Sequence, residues 1–475
     1  MVDVRHARDG RNRPHPANRT RVRRLMADVA VRRPGLFRHP GQYVVAAFVV
    51  AIAVGTALLS VPAARSGEGG APFMVALFTA TSAVCVTGLV VVDTPSYWSA
   101  FGEGVILALI QVGGFGIMAI SSLIAVVLAR RLGLRQRLIA AAESGGLAIG
   151  DVRRLLVGVA RFSLATELAT ASLLALWFWV RDGQSAGRAA YLGVFHAVSA
   201  FNNAGFALYG DSLAGFAGEP AVLVVVAVAV VVGGLGYPVV LEIARQPRRP
   251  ARWNLHAKMT VATTGVLLMV AAGLYGWFEW TNPDTLGRLS AVDSVTNAWF
   301  QSVTPRTAGF NVLDPAALRE PSRLLTEVLM FIGGGSASTA GGIKVTTFAL
   351  LGWVILTEVR GDRDVVVFRR RVPEGAQRQA LSVALLAVGM VVLSTMLLLA
   401  ISGLPRADLL FEAISALGTV GLSTGVTPLL PTSSQLVVVA LMLIGRVGPV
   451  TLFAALILRE REPRYRHPEG RPLVG

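Results

Sequence analysis

The chain has 475 residues, of which 53% are hydrophobic and 15% charged, and its mean hydropathy is +0.60. Soluble domains carry about 25% charged residues, so this composition excludes an ordinary soluble protein and reads as a polytopic membrane protein. The net charge of +16 is almost all arginine, with Lys258 and Lys344 the only lysines, and in a membrane protein such an excess belongs to cytoplasmic loops rather than to a nucleic-acid surface.

Residues 1–40 form a basic tail ahead of the first apolar run, 43–63, which is too long for a signal-peptide core and reads as a retained helix. Spans of about 20 apolar residues recur at 104–128, 155–180, 220–244, 259–279, 324–357, 380–402 and 435–458, giving eight in all. Between the members of each pair lies a shorter apolar stretch, near 73–84, 190–201, 292–303 and 407–417. These are too short to cross and read as re-entrant. Cys85 is the only cysteine, so no intrachain disulfide forms, and the six histidines show no metal-ligand spacing.

Loop charge sets the orientation. With a cytoplasmic N-terminus, the inner segments carry 33 Lys and Arg residues and the outer ones seven. That asymmetry places both termini inside, calls for an even number of spans, and puts all four short stretches on the outer side.

The short stretches repeat one pattern: "LFTATSAVCVTGL", "VFHAVSAFNNAGF", "WFQSVTPRTAGF" and "LFEAISALGTVGL". Each opens on a phenylalanine (Phe78, Phe195, Phe300, Phe411) and has a hydroxyl four residues on (Ser82, Ser199, Thr304, Ser415). Each then reaches a glycine (Gly88, Gly205, Gly309, Gly421) at a spacing of 10, 10, 9 and 10 from the phenylalanine. The following span carries its own signature: "QVGGFGIM", "VVGGLGYPV", "FIGGGSASTAGG" or "LIGRVGPVTL". A period of 104–117 residues between loop glycines marks an internal repeat of span, short helix, extended loop and span. The units are 41–130, 153–245, 256–360 and 378–459, followed by a tail at 460–475.

Non-helical backbone at membrane depth is tolerated where it is buried in protein or lines a water-filled cavity. Four copies around one axis would make that cavity a pore. Rings of carbonyl oxygens can replace the hydration shell of a monovalent cation, and the negative C-terminal ends of the short helices favour a cation as well.

These loops, the "GGGSASTAGGIK" run and the "GRVGP" of the last span resemble the Trk/Ktr/HKT superfamily of potassium transporters over about residues 40–460. Eight spans make the chain most similar to the Ktr-type (KtrB-like) membrane subunit. The resemblance implies an all-α integral membrane fold: eight transmembrane helices as four non-identical helix–pore-helix–helix repeats around one central pore. By motif, it assigns a K⁺ filter to Val86, Thr87, Gly88, Asn203, Ala204, Gly205, Thr307, Ala308, Gly309, Thr419, Val420 and Gly421. In sodium-favouring plant relatives a serine stands at the first filter glycine, so Gly88 points toward potassium. The third loop departs from the pattern in being one residue shorter.

The stretch 333–342 holds five glycines among small polar residues and is a poor helix former. A broken helix with a loop inside the membrane is expected there. The resemblance makes this loop the gate, built on Gly333, Gly334, Gly335, Ser336, Ser338, Thr339, Gly341 and Gly342. Arg446 lies in mid-span, and an intramembrane charge is by default functional. It is expected to hold the gate or to act as a positive barrier. Lys344 fits a gate or a structural role equally. His196 and Glu412 hold equivalent positions in their short helices and are expected to hydrogen-bond behind the filter rather than bind the ion.

No Gly-rich phosphate-binding motif is present, so the chain is not expected to bind nucleotide. The resemblance implies a homodimer and a separate cytoplasmic nucleotide-binding regulatory ring (KtrA-like). The basic segments 245–253 and 365–372 could dock such a partner, meet anionic membrane lipid or only fix topology. No nucleic-acid partner is expected. The expected function is the membrane subunit of a potassium uptake system in the plasma (inner) membrane, with K⁺ as the transported ion and no covalently bound cofactor. The alternative is a less selective, Na⁺-dependent or Na⁺-permeable monovalent cation transporter. No span carries a constellation suited to catalysis, so an enzyme is not expected. Repeats that all start and end inside favour a pore over the inverted-repeat secondary transporters.

Overall fold

A computed structural model describes residues 40–131 and 151–448, with side chains placed for 42–119 and 153–448. Both expected tails, the basic segment 132–150 and the last apolar run beyond 448 lie outside the described residues. The described chain is mostly helical. In chain order it runs α1 (Pro40–Leu59), α2 (Phe73–Val84), α3 (Ala100–Arg131), α4 (Asp151–Val180), α5 (Ala186–Phe201), α6 (Pro220–Leu235) and α7 (Tyr237–Arg245). Then come α8 (Leu255–Glu279), α9 (Ala291–Val303), α10 (Glu320–Phe331), α11 (Val345–Arg360), α12 (Glu374–Ser402), α13 (Arg406–Gly418) and α14 (Thr432–Val447). A two-residue hairpin, β1 (Val366–Val367) with β2 (Arg370–Arg371), joins α11 to α12.

Among the described residues, five helices are long and apolar enough to cross a membrane: α1, α3, α4, α8 and α12. The expected span 220–244 is not one straight helix. It bends by 97° between α6 and α7, at Gly236, whose φ of +85° no ordinary helical residue adopts. Pro238, in the first turn of α7, cannot donate to the preceding turn and suits a fresh helix start. The expected span 324–357 is broken as anticipated: α10 stops at Phe331 and α11 starts at Val345.

The four short stretches are short helices. Local chemistry starts each one: Pro72 precedes α2, Ser185 caps α5 through the Arg188 N–H, Ser290 caps α9 through the Asp293 N–H, and Pro405 precedes α13. Each then ends in a loop rather than in another helix. The helix following each loop packs on the next short helix: α3 on α5, α6 on α9, α10 on α13, and α14 back on α2. The packing order therefore closes on itself.

Burial is inverted relative to a soluble domain. On α12, Leu385, Leu393 and Met396 are more than 60% exposed, and on α8 Met269 and Trp277 are 79% exposed. Inside, the short helices and their loops bury Thr81, Ser82, Ser199, Asn202, Thr304 and Ser415. An apolar rim around a polar centre suits lipid outside and an aqueous or ionic path inside.

One outer corner shows how buried charge is held. Glu279, at the end of α8, is fully buried and accepts from Asn282 Nδ2 at 2.6 Å, Thr285 Oγ1 at 2.7 Å and the Arg319 N–H at 3.0 Å. Removing the carboxylate leaves the Thr285 hydroxyl and the Arg319 N–H without their acceptor and leaves Asn282 Nδ2 with Ala317 O alone. Glu279→Ala is expected to lower stability by about 3 kcal/mol, and Glu279→Gln, which still accepts, by less than half of that. Thermal unfolding in detergent measures both.

Candidate functional site

Each short helix spends its last turn on the backbone of the loop that follows. In the first loop, the N–H groups of Val86 and Thr87 donate to Ala83 O and Ser82 O at 3.1 and 2.8 Å, and the Gly88 N–H donates to Ser82 Oγ at 3.0 Å. The fourth loop repeats this: Thr419 and Val420 N–H donate to Ala416 O and Ser415 O at 3.2 and 2.8 Å, and the Gly421 N–H to Ser415 Oγ at 3.1 Å. The second and third loops use the hydroxyl the other way round. Ser199 Oγ donates to Phe206 O and Thr304 Oγ1 to Phe310 O, both at 2.7 Å. The hydroxyl four residues after each phenylalanine is thus the tie between helix and loop.

The loops share one backbone shape. The residue two before each glycine has a left-handed φ (Val86 54°, Asn203 59°, Thr307 68°, Thr419 49°), and so does the glycine itself (91°, 70°, 75° and 95°). Left-handed backbone is costly for a β-branched residue such as Val86, so tertiary contacts must impose it. Recurring left-handed residues with their N–H groups drawn toward the helix turn the carbonyls the other way.

The four glycines close a ring. A β-carbon added to Gly88 would stand 2.4 Å from Ala204 O, one on Gly205 2.9 Å from Ala308 O, one on Gly309 2.3 Å from Val420 O, and one on Gly421 2.2 Å from Thr87 O. Each loop therefore abuts the next, and the last abuts the first. A cavity of about 410 Å³ opens over the ring and is bordered by all four glycines.

The broken segment lies against this ring. The Thr339 Oγ1 hydroxyl donates to Phe201 O at 3.2 Å and meets the Asn203 side-chain amide at 3.2 Å. A β-carbon on Gly341 would stand 2.0 Å from Thr419 Oγ1. The Gly335 N–H donates to Gly234 O at 2.8 Å, and Gly236 is packed against Ala337 O and Ser338. The bend between α6 and α7 therefore makes room for the loop tip. Arg446, 4% exposed, donates through Nη1 to Thr339 O and through Nη2 to Gly113 O at 3.2 Å. It joins the loop to α3.

The TrkH family profile, described as a cation transport protein, matches residues 28–462. The chain belongs to the TrkH cation transport protein family. It is 38% identical to the Ktr system potassium uptake protein B of Bacillus subtilis (strain 168), over 92% of this chain and 97% of that one. It is 34% identical to the potassium/sodium uptake protein NtpJ of Enterococcus hirae, over the same shares of both chains. The solved structure of the potassium transporter TrkH from Vibrio parahaemolyticus superposes with a TM-score of 0.69 at 20% identity, covering 91% of this chain and 88% of that chain. That likeness establishes the fold alone.

Within this TrkH-family chain the remaining expected residues fall as follows. Lys344 stands at the start of α11 and donates through Nζ to Ala340 O at 2.5 Å, across the end of the broken segment. His196 Nδ1 meets Leu192 O at 2.8 Å while Nε2 accepts from the Leu208 N–H at 3.3 Å, so the ring is neutral with its proton on Nδ1. Glu412 accepts from Thr427 Oγ1. Both side chains hold the chain beyond a loop glycine. Among the described residues no group of three or more His, Cys, Asp or Glu could share a metal ion.

Sequence reasoning missed Glu167. It lies on α4, is 6% exposed, and accepts from Gln111 Nε2 of α3 at 3.3 Å and from Asn202 Nδ2 at 3.1 Å. Asn202 is the residue at which α5 turns into its loop. Its side chain fits because α3 carries Gly114 there: a β-carbon would meet Asn202 Oδ1 at 1.9 Å. The signal was a lone carboxylate in the apolar run 155–180. Glu167→Ala is expected to cost about 1 kcal/mol of stability by leaving Gln111 Nε2 without its acceptor, while Asn202 Nδ2 keeps Gln111 Oε1 and Val198 O, with Glu167→Gln restoring most of it. Unfolding of the two variants side by side in detergent tests this.

Proposed function

We propose that this chain is the membrane subunit of a potassium uptake system, passing K⁺ down the membrane potential through the ring of four loops. The observation that carries the reading is the closed ring itself: four quarters of one chain, each with two left-handed residues and its N–H groups tied back to a short helix. Carbonyls freed in this way can replace the hydration shell of a monovalent cation. On this reading Val86–Thr87–Gly88, Asn203–Ala204–Gly205, Thr307–Ala308–Gly309 and Thr419–Val420–Gly421 are the selectivity filter. The names of the two relatives, both potassium uptake proteins, support it.

The stretch Gly333–Gly342 is the gate. Its hydrogen bonds to α6, to Phe201 O and to Arg446 support this, because a non-helical loop held by polar contacts to its neighbours can exchange one set for another. Arg446 latches the closed form and Lys344 stiffens its end. The eight-span arrangement with both termini cytoplasmic, the homodimer, the placement in the inner membrane and a nucleotide-binding cytoplasmic ring that drives the gate complete the proposal. The charge asymmetry of the loops supports the orientation. The Ktr-system relative supports the partner, since its name places it in a multicomponent system. A sodium-permeable variant of the same pathway is the second reading, favoured by the potassium/sodium relative.

Flux of K⁺, Rb⁺ and Na⁺ into proteoliposomes under a negative-inside potential decides between the two. K⁺ and Rb⁺ flux well above Na⁺ supports the filter, and equal flux of all three supports the sodium-permeable reading. Absence of flux, with and without a cytoplasmic partner, overturns both. Gly88→Ser is expected to lower the K⁺ preference, because the new side chain meets Ala204 O and strains a φ of +91°; unchanged selectivity removes Gly88 from the filter. Deleting Gly335–Ala340 is expected to raise basal flux, and folded protein with unchanged low flux removes the gate assignment.

A further inference from the structure

The mouth of the ring is charged, but not in the same way on every side. Three repeats place an aspartate five or six residues after the loop glycine: Asp93, Asp211 and Asp314, all bordering the 410 Å³ cavity. In the fourth repeat those positions are Val426 and Thr427. The three aspartates are exposed, and they do not converge on one point. They supply a field, not a site.

The fourth side holds a carboxylate too, one layer back. Glu412 of α13 is fully buried. Its Oε1 accepts from Thr427 Oγ1, and Thr427 Oγ1 stands 3.0 Å from Ser423 Oγ. A hydroxyl has one proton to give. Thr427 Oγ1 is the donor in both contacts, its one proton shared between the carboxylate and Ser423 Oγ. Ser423 Oγ also accepts the Gly425 N–H at 3.0 Å, which fixes it in place. Both residues border the cavity together with Gly421.

Glu412 Oε2 meets no hydrogen-bond donor among the described residues. Arg323 of α10 is engaged elsewhere: it pairs with Asp408, one turn before Glu412 on α13. A buried carboxylate without a counter-charge is costly. What it lacks is a cation, and the cavity beside its hydroxyl partners is where one can arrive.

We propose that Ser423, Thr427 and the buried carboxylate of Glu412 form a docking site for a monovalent cation at the outer mouth of the ring. The site rests on the ring being the ion path. The hydroxyl oxygens contact the ion and Glu412 charges them from behind. One carboxylate and two hydroxyls suit a singly charged ion that keeps part of its water; a divalent ion takes six or more oxygens, several of them carboxylate. The site lies outside the glycine ring, so it raises occupancy without choosing between K⁺ and Na⁺.

The test is initial K⁺ uptake by the full chain in proteoliposomes against external K⁺ concentration, in low-salt buffer. Glu412→Gln keeps the shape and the Thr427 hydrogen bond but removes the charge. It is expected to raise the half-saturating K⁺ about tenfold, or ~1.4 kcal/mol, with the maximal rate and the K⁺/Na⁺ preference unchanged, the pattern of lost ground-state binding. Ser423→Ala, at a half-exposed position, is expected to raise it about threefold and carries the test if the buried variant does not fold. Half-saturation unchanged in the variants while wild type transports K⁺ overturns the docking site alone. A loss of K⁺ preference at unchanged half-saturation also overturns it, since Glu412 then acts on the ring from behind. Wild type that passes no K⁺ overturns the ring as ion path and the docking site with it.

Discussion

The structure depends on what happens to four stretches of backbone that are neither helix nor strand. Placed at the centre of an apolar body, their N–H groups have no water to turn to, and each unpaired one costs free energy on the scale of a lost hydrogen bond. The last turn of each short helix meets that need. Ser82 and Ser415 accept from the glycine N–H, and the carbonyls beside them accept from the two residues before it. Once the N–H groups are turned toward the helix, the carbonyls face away from it. The ring, the cavity over it and the seat of the broken segment beneath it all follow from that one turn of backbone.

Much of this was legible in residue order. The phenylalanine, hydroxyl and glycine of each repeat recur at nearly fixed spacing, and each plays a distinct part in the structure. Phe78, Phe195, Phe300 and Phe411 are buried in the core, the hydroxyls tie the loops, and the glycines close the ring. The break before Val345 was readable from five glycines in ten residues. The 97° bend at Gly236 was not, because three glycines in "GGLG" are equally compatible with tight helix packing. Only the positive φ at Gly236, imposed by the loop tip it faces, separates the two. Glu167 was overlooked for a different reason. Its partners Gln111 and Asn202 come from other helices, 56 and 35 residues away along the chain, and no local pattern encodes such a meeting.

The broken segment gains its definition from elsewhere. Glycine and serine give Gly333–Gly342 little preference of its own, so neighbours decide its path. α6 offers Gly233 O and Gly234 O, the second loop offers Asn203, and α14 reaches in with Arg446. A segment shaped by its neighbours moves when they move. That is why Arg446, bonded at once to Thr339 O and Gly113 O, ties three repeats rather than one.

Because one chain supplies all four quarters, the aperture has no exact symmetry. An opening made from identical subunits repeats every substitution four times over, so a small fault is multiplied. Here a change alters one quarter and leaves three. The positions three residues before the ring glycines show how far the quarters differ: Cys85, Asn202, Arg306 and Gly418. Behind the second lies a carboxylate, behind the third a threonine hydroxyl on α8 at 3.4 Å. The oxygens around the opening are chemically alike, but the walls behind them are not. The field at the ring is therefore lopsided, and each wall can be retuned without disturbing the other three.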